Sequence, residues 1–432
     1  MSQTVSIVTL GCKTNQFESA AMSEQLLKCG YRQIDFDDGA DLVIVNTCTV
    51  TAATDSQSRN LIRRARRINP ICRIVVTGCY AQVDPETLAE LPGVALVIGN
   101  EEKRDFLERL ADLDTDHIQV SVSDIRKVDS AEILPLSSFE QRSRAFVQIQ
   151  NGCDAFCSYC IIPYARGRSR SVSVADVIKQ VEALSDSGYP EIVLTGIHIG
   201  NYGQDLHPKI DLLYLLQQIE KAGFGGRLRL GSIEPTELPS QLLDYIAASD
   251  WLCPHYHIPL QAGNDVILKQ MNRHYTTAFF RQLLESIRQR QPYAAIGLDI
   301  ITGFPGETRQ QFLSTCEYLT DLPFSHLHVF PYSRRPGTPA AKMKDQLPGN
   351  IIKERAAELR QIGEDKLKEY AEQFVDKELQ VVIEGGKDKG FKKGLSQNYL
   401  QVRVISENLQ QGQCCRVKIE RAEQGVLYAS TL

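Results

Sequence analysis

Asn151-Gly152-Cys153-Asp154-Ala155-Phe156-Cys157-Ser158-Tyr159-Cys160 is the stretch on which the reading of this chain turns. Its three cysteines are spaced CxxxCxxC and follow directly on an apolar run, residues 145–150, that reads as a β-strand. Thiolates bind soft metal centres, and spacing this close folds a single loop around one cluster. A cube of four irons and four sulfides needs four ligands, so three cysteines leave one iron open. A zinc site is more usually closed by a fourth protein ligand. No neighbouring Cys or His supplies one, and His198 is the nearest downstream His.

Working outward, the strand before the loop opens a series. Residues 145–150, 191–195, 227–231, 255–259, 295–301 and 326–330 read as strands, and 174–185, 211–221, 240–248, 277–290 and 309–319 as the helices between them. Six such units predict an α/β fold with an incomplete parallel barrel, open on one side; a full eight-unit barrel takes about 250 residues. Upstream, strands at 6–10, 41–45, 73–76 and 94–98 alternate with helical patterns such as 16–28, which predicts a doubly wound parallel sheet. Three of these four strands run into a cysteine: Cys12, Cys48 and Cys79. The carboxyl ends of parallel strands share one edge, so three thiols far apart in sequence are expected to meet in space. The bland alternative is that each is an ordinary buried cysteine. Cys29 and Cys72 fit that alternative, and Cys253, Cys316, Cys414 and Cys415 have no spacing partners and read as structural.

The flanks complete a three-part chain of 432 residues, as expected at about 150 residues per domain. Residues 1–113 form the first part and 114–144 a polar connector with a strand at 117–122. Residues 145–370 form the barrel, ending in a charged amphipathic helix at 351–374. In 371–432, short alternating runs at 379–383, 399–404, 416–419 and 425–430 predict a small antiparallel all-β barrel. The first residues lack the basic start of a secretory signal, and no stretch approaches the roughly 20 apolar residues of a membrane span. A cytoplasmic protein without a membrane partner is expected, and its 12 cysteines then point to metal or redox chemistry.

The formal net charge of -5 does not advertise a polyanion binder, so any nucleic-acid surface must be local. Arg59, Arg63, Arg64, Arg66 and Arg67 fall on one predicted helix whose apolar side is Leu61, Ile62, Ala65 and Ile68, which turns the arginines outward. Lys387, Lys389, Lys392 and Lys393 form a second basic group, with Phe391 and Tyr399 available for base stacking. Arg166, Arg168 and Arg170 follow the cysteine loop as candidates for holding an anionic ligand. A solvated helix face is the bland reading of the first group.

The cysteine loop resembles that of the radical S-adenosylmethionine (SAM) superfamily. The resemblance implies a 4Fe-4S cluster on Cys153, Cys157 and Cys160, with SAM on the open iron and a 5'-deoxyadenosyl radical formed on reduction. It further implies that Tyr159 contacts the adenine region, Thr195 and Gly196 the SAM amino group, Ser232 and Glu234 its ribose or carboxylate, and Asp299 and Gly303 the adenine. Gly11-Cys12-Lys13-Thr14-Asn15-Gln16-Phe17-Glu18-Ser19, Asn46-Thr47-Cys48-Thr49-Val50-Thr51 and Thr77-Gly78-Cys79 are similar to segments of the methylthiotransferases. So are Cys157 through Arg168, His257-Ile258-Pro259-Leu260-Gln261-Ala262-Gly263 and Pro331 through Thr338. Ala262 departs from the Ser common in that family, and Gly394-Leu395-Ser396-Gln397-Asn398-Tyr399 is a loose version of its carboxyl-terminal TRAM pattern.

That family implies a second 4Fe-4S cluster, on Cys12, Cys48 and Cys79, that presents sulfur while the first generates the radical. It implies addition of a methylthio group to carbon 2 of an N6-modified adenine at position 37 of tRNA, next to the anticodon, where C–H acidity is too low for a general base alone. The residues around the first two cysteines most resemble the branch acting on threonylcarbamoyladenosine; the other acceptors in the family are isopentenyladenosine and a ribosomal protein aspartate. Implied partners are the tRNA anticodon stem-loop, gripped by the arginines at 59, 63, 64, 66, 67, 166 and 168 and by Lys392 and Lys393, and a low-potential electron donor such as a flavodoxin or ferredoxin.

Overall fold

Leu42, Val43, Ile44 and Val45 are all buried, which in a run of consecutive residues means a strand covered on both faces. The computed structural model describes residues 3–111, 117–131, 133–139, 142–388, 390–406 and 408–432. Its first domain is a parallel sheet of β1 (Thr4–Thr9), β2 (Arg32–Gln33), β3 (Leu42–Thr47), β4 (Arg73–Gly78), β5 (Val94–Ile98) and β6 (Gln119–Ser121), in the order β2-β1-β3-β4-β5-β6. Alternate residues of the strands face opposite sides. Ile44, Val75 and Leu96 pack with Met22 and Leu26 of the helix Lys13–Lys28, while Val43, Val45 and Val76 pack with Ile62 and Ala65 of the helix Ala52–Ile68. The fold is doubly wound. Strand β6 comes from the segment expected to be a connector; it pairs with β5 and extends the sheet.

The second domain contains β7 (Ala145–Gln148), the short antiparallel pair β8 (Gln150–Asn151) and β9 (Arg170–Ser171), and then β10 (Glu191–Thr195), β11 (Arg227–Leu230), β12 (His255–Gln261), β13 (Ala295–Thr302) and β14 (His326–Pro331). Parallel pairing joins β7 to β10 to β11 and β12 to β13 to β14. Isolated parallel bridges, Leu228 to Leu252 and Ser232 to His257, link the two halves. Six parallel strands with helices outside therefore form a partial barrel, and among the described residues no pairing joins β14 back to β7.

The helix Gly349–Glu372 leads into a closed barrel of β15 (Glu378–Asp388), β16 (Phe391–Ser396), β17 (Gln401–Ile405), β18 (Cys414–Glu423) and β19 (Val426–Thr431), ordered β15-β16-β17-β19-β18. Two expectations need correction. The β17–β19 pairing is parallel, so the barrel is not wholly antiparallel. Strand β16 was not anticipated, because Lys392, Lys393 and Gly394 interrupt its apolar alternation.

Both outer domains are fastened to the barrel by buried arginines. At its amino-terminal end, Arg227 and Arg229 share Glu191 and donate to the carbonyls of Gln380, Leu395, Ser396 and Gln397 in the tail. Tyr399 rests on the His255 ring at 4.3 Å, with the Arg229 guanidinium 5.1 Å from its centroid. It is packed as an interdomain plug, which corrects the expectation that it stacks on bases. At the opposite end Arg335 donates to Thr49 and Asp55 of the first domain, and the Ala52 amide donates to Ser333.

Candidate active site

Gly11 has φ +98°, and a Cβ there would lie 2.8 Å from the Cys48 sulfur. Only glycine fits so close a backbone approach, and it lets the β1 and β3 ends converge. The Cys48 thiol, with Cys79 and Cys12 as electrostatic neighbours, is pushed up to about 12 by burial and by those two sulfurs. The three thiols predicted to meet at one sheet edge are together. In the CxxxCxxC loop, burial and Cys157 raise the Cys160 thiol to about 12. Thiols buried this way stay protonated unless a metal or a cation favours the thiolate. Guanidinium groups stand at both sets: Arg166 Nε is 3.3 Å from the Cys79 sulfur and Arg273 Nη1 is 3.4 Å from that of Cys157. Two trios of soft donors, each with a buried cation alongside, suit iron–sulfur clusters.

Arg166 is fully buried. It donates to both carboxylate oxygens of Glu18 and to Asn15, and Lys103 donates to the same Glu18. Burial alone would raise the Glu18 carboxyl, but Arg166 and Lys103 hold it down at about 2. The expectation that Arg166 grips RNA is therefore corrected: its guanidinium is buried at the domain junction against Glu18, Asn15 and Cys79. Arg170 is also buried and donates to the carbonyls of Val128, Arg166 and Arg168. Arg168 is exposed.

Of the arginines on the helix Ala52–Ile68, Arg63, Arg64 and Arg67 are exposed and Arg64 pairs with Asp37. Arg59 and Arg66 correct the picture of a wholly outward set. Arg59 turns to the Tyr80 hydroxyl at 2.6 Å, and Arg66 to the Cys72 carbonyl at 3.2 Å. In the tail, Lys392 is half-buried and Lys393 exposed, and Phe391 packs edge-on against Tyr428. Lys389 and the side chain of Lys387 lie outside the described residues. Among the cysteines read as structural, Cys72 and Cys253 are buried, whereas Cys29 and Cys414 are exposed.

A cavity of ≈ 220 Å³ is lined by Val50, Thr51, Tyr159, Cys160, Ile161, Gln261, Asp299, Ile301, Phe330 and Ser333, among others. It joins the segment just past Cys48 to the CxxxCxxC loop and to the carboxyl ends of β12, β13 and β14. Of the predicted cofactor contacts, Tyr159 and Asp299 line it. Glu234 does not face it freely, because its carboxylate is taken by Arg273. Thr195 is buried at the end of β10, with Gly196 next to it, and Ser232 is exposed. Gly303 lies against Ile352 of the helix Gly349–Glu372, its amide held by Glu307.

Several site residues were not singled out in the sequence. His198, 45 residues from Cys153 in the chain, has its Nδ1 3.5 Å from that sulfur, and its Nε2 is 2.8 Å from Glu237; the absence of a neighbouring His in sequence did not carry over to space. Arg273 gives no spacing signal at all. The pairs His255/His257 and His326/His328 do: their spacing of two puts each pair on one face of a strand. His257 Nε2 lies 2.9 Å from Asp299 and His328 Nδ1 3.3 Å from it. Burial would raise the Asp299 carboxyl, but these two imidazoles hold it well below the usual range. Lys13, the residue after Cys12, has its ammonium near Arg229, Arg144, Glu191 and Asp299; burial and then repulsion from the two arginines pull it down to about 8.

Residues 4–99 match the family model described as "Uncharacterized protein family UPF0004", and residues 147–319 match the radical SAM superfamily. The chain is 39% identical over 97% of its length to a threonylcarbamoyladenosine tRNA methylthiotransferase of Bacillus subtilis, covering 94% of that protein. The chain belongs to the radical SAM methylthiotransferase family. A tRNA-2-methylthio-N(6)-dimethylallyladenosine synthase of Pelotomaculum thermopropionicum is 34% identical over 89% of the chain and 87% of its own length. Among solved structures, the radical SAM methyltransferase TsrM of Kitasatospora setae aligns with a TM-score of 0.56 at 18% identity, covering 79% of this methylthiotransferase and 77% of TsrM. That likeness is one of fold. The family brings SAM and 4Fe-4S clusters as cofactors, which the two donor sets fit. No helix among the described residues is long and apolar enough to cross a membrane.

Proposed function

We propose that this protein adds a methylthio group to carbon 2 of N6-threonylcarbamoyladenosine at position 37 of tRNA. The observation that carries the reading is the cavity that runs from Val50 and Thr51, just past Cys48, to Tyr159 and Cys160 of the CxxxCxxC loop. The similarity to the B. subtilis threonylcarbamoyladenosine enzyme supports this acceptor. In this reading Cys153, Cys157 and Cys160 hold one cluster and Cys12, Cys48 and Cys79 the other. When bound, the two clusters and SAM would supply the radical, the sulfur and the methyl group, at the expense of an electron from a low-potential donor.

The chain's own residues do the rest. Val50, Ile161, Ile301 and Phe330 give the cavity apolar walls that exclude water from the reacting carbon. Tyr159 and Asp299 present polar edges that orient adenine and SAM. Arg273 and Arg166 place fixed positive charge beside Cys157 and Cys79, where thiolates must be stabilised. The exposed Arg63, Arg64, Arg67 and Arg168, together with Lys393, offer phosphate contacts for the anticodon stem-loop.

Nucleoside analysis of tRNA from a deletion strain tests the assignment. Loss of the methylthiolated threonylcarbamoyl nucleoside, with its precursor retained and restoration by the intact gene, is expected. Loss of the methylthiolated isopentenyl nucleoside in its place would overturn the acceptor.

A further inference from the structure

The Lys13 ammonium stands among the charges of the barrel lumen, close to Asp299, a cavity residue, and to the buried His255. The nearby cations are Arg144, Arg227, Arg229 and Lys13. Arg144, Arg227 and Arg229 are paired with Glu191 and Glu384, and Asp299 is engaged by His257 and His328. Four cations face three carboxylates, and among the described residues Lys13 makes no ion pair. It is the charge left over. His255, 3% exposed, has both ring nitrogens without a partner, as has His326 at Nε2; buried polar atoms left this way ask for a polar ligand or water. Burial and neighbouring cations keep His255 and His326 neutral, so they add hydrogen-bonding capacity without adding charge.

We propose that Lys13 is the specificity-determining contact of this enzyme, its ammonium receiving the carboxylate that the threonylcarbamoyl arm carries on N6 of the substrate base. The inference rests on the acceptor proposed above and deepens it. Threonine joined through its amino nitrogen to a carbamoyl keeps a free carboxylate, which is anionic at neutral pH; a dimethylallyl arm is an uncharged hydrocarbon. A base whose C2 edge lies in the cavity would direct its N6 arm past Asp299, which lines the cavity and neighbours Lys13. There one uncompensated cation meets one anion. A half-buried, unpaired ammonium gains more from a carboxylate than a fully exposed one does, and it gives a hydrocarbon arm nothing for its desolvation. Discrimination thus comes from a group adjoining Cys12, one of the sulfur-presenting trio.

The test uses anticodon stem-loops bearing at position 37 the threonylcarbamoyl base, its methyl ester, or the dimethylallyl base. They are titrated anaerobically into the full-length protein with both clusters reconstituted, as wild type, Lys13→Met and Lys13→Arg, at equal iron per chain. Wild type should bind the acid about 10- to 100-fold more tightly than the ester, the span of a charge-assisted hydrogen bond. Lys13→Met should bind acid and ester alike, and Lys13→Arg should keep part of the preference, which also serves if Lys13→Met loads less iron. Equal affinity of wild type for acid and ester, or a preference undiminished in Lys13→Met, would overturn the assignment to Lys13 while leaving the acceptor standing. Tighter wild-type binding of the dimethylallyl loop than of the other two would overturn the acceptor itself.

Discussion

Removing the Glu18 charge should loosen the junction between the first domain and the barrel more than removing the Arg166 charge does. Glu18 is 4% exposed and is shared by two buried cations, Arg166 and Lys103. Glu18→Gln leaves a guanidinium and an ammonium facing each other without an anion, whereas Arg166→Met leaves the Glu18–Lys103 ion pair, with no net charge. Breaking a buried pair by deleting one partner costs about 3–5 kcal/mol. Glu18→Gln belongs at the upper end of that range. Arg166→Met belongs near about 3 kcal/mol, since it also strips Asn15 and the Cys79 sulfur of a donor. The double variant should cost less than the two singles together, by about 2 kcal/mol, because the charge orphaned in one single is removed by the other. Hydrogen exchange of the Lys13–Lys28 helix amides measures this opening. A loss of about 3 kcal/mol speeds exchange roughly 150-fold where exchange follows the opening equilibrium. Strict additivity of the two substitutions, or protection unchanged in Glu18→Gln, would refute the account of this junction.

Three further outcomes follow from the same geometry. Cys48→Ala should retain SAM cleavage to 5'-deoxyadenosine with about half the iron and no methylthiolated product, whereas Cys157→Ala should abolish reductive cleavage; iron analysis with mass spectrometry of the nucleosides reads both. Since the Glu18 carboxyl falls from 4.5 to about 2 on folding, its contribution to stability is fully present above pH 4.5 and is lost as pH falls through about 2; Glu18→Gln should flatten that part of the acid-unfolding profile. Replacing the exposed Arg63 and Arg67 together with Ala should weaken stem-loop binding and lower the slope of log affinity against log salt by roughly 1 to 2, as fluorescence anisotropy at several salt concentrations will report.

Much of the scaffold was legible because it is written in local periodicity. The strand Glu191–Thr195 and the helices Ser240–Ala248 and Thr277–Arg290 begin and end where the apolar pattern does. The meeting of Cys12, Cys48 and Cys79 followed from topology, since parallel strands leave their carboxyl ends on one edge. What escaped is non-local. An arginine's side chain gives no local sign of whether it will lie on the surface or, like Arg166, across a domain junction; burial of a charge is decided by a partner such as Glu18, 148 residues away. His198 and Arg273 reach their cysteines across 45 and 116 residues, and nothing near Tyr399 in sequence announces His255. Strand β16 was hidden by its own lysines and glycine. The paired histidines were legible at a spacing of two and were passed over.

The seating of Tyr399 between His255 and Arg229 stoppers the barrel at its foot. The barrel is thereby closed on the side away from the cavity that Cys160 lines, and a small molecule would have to reach that cavity from the other end. The closure comes from a tyrosine in left-handed backbone (φ 65°) rather than from any group that reacts.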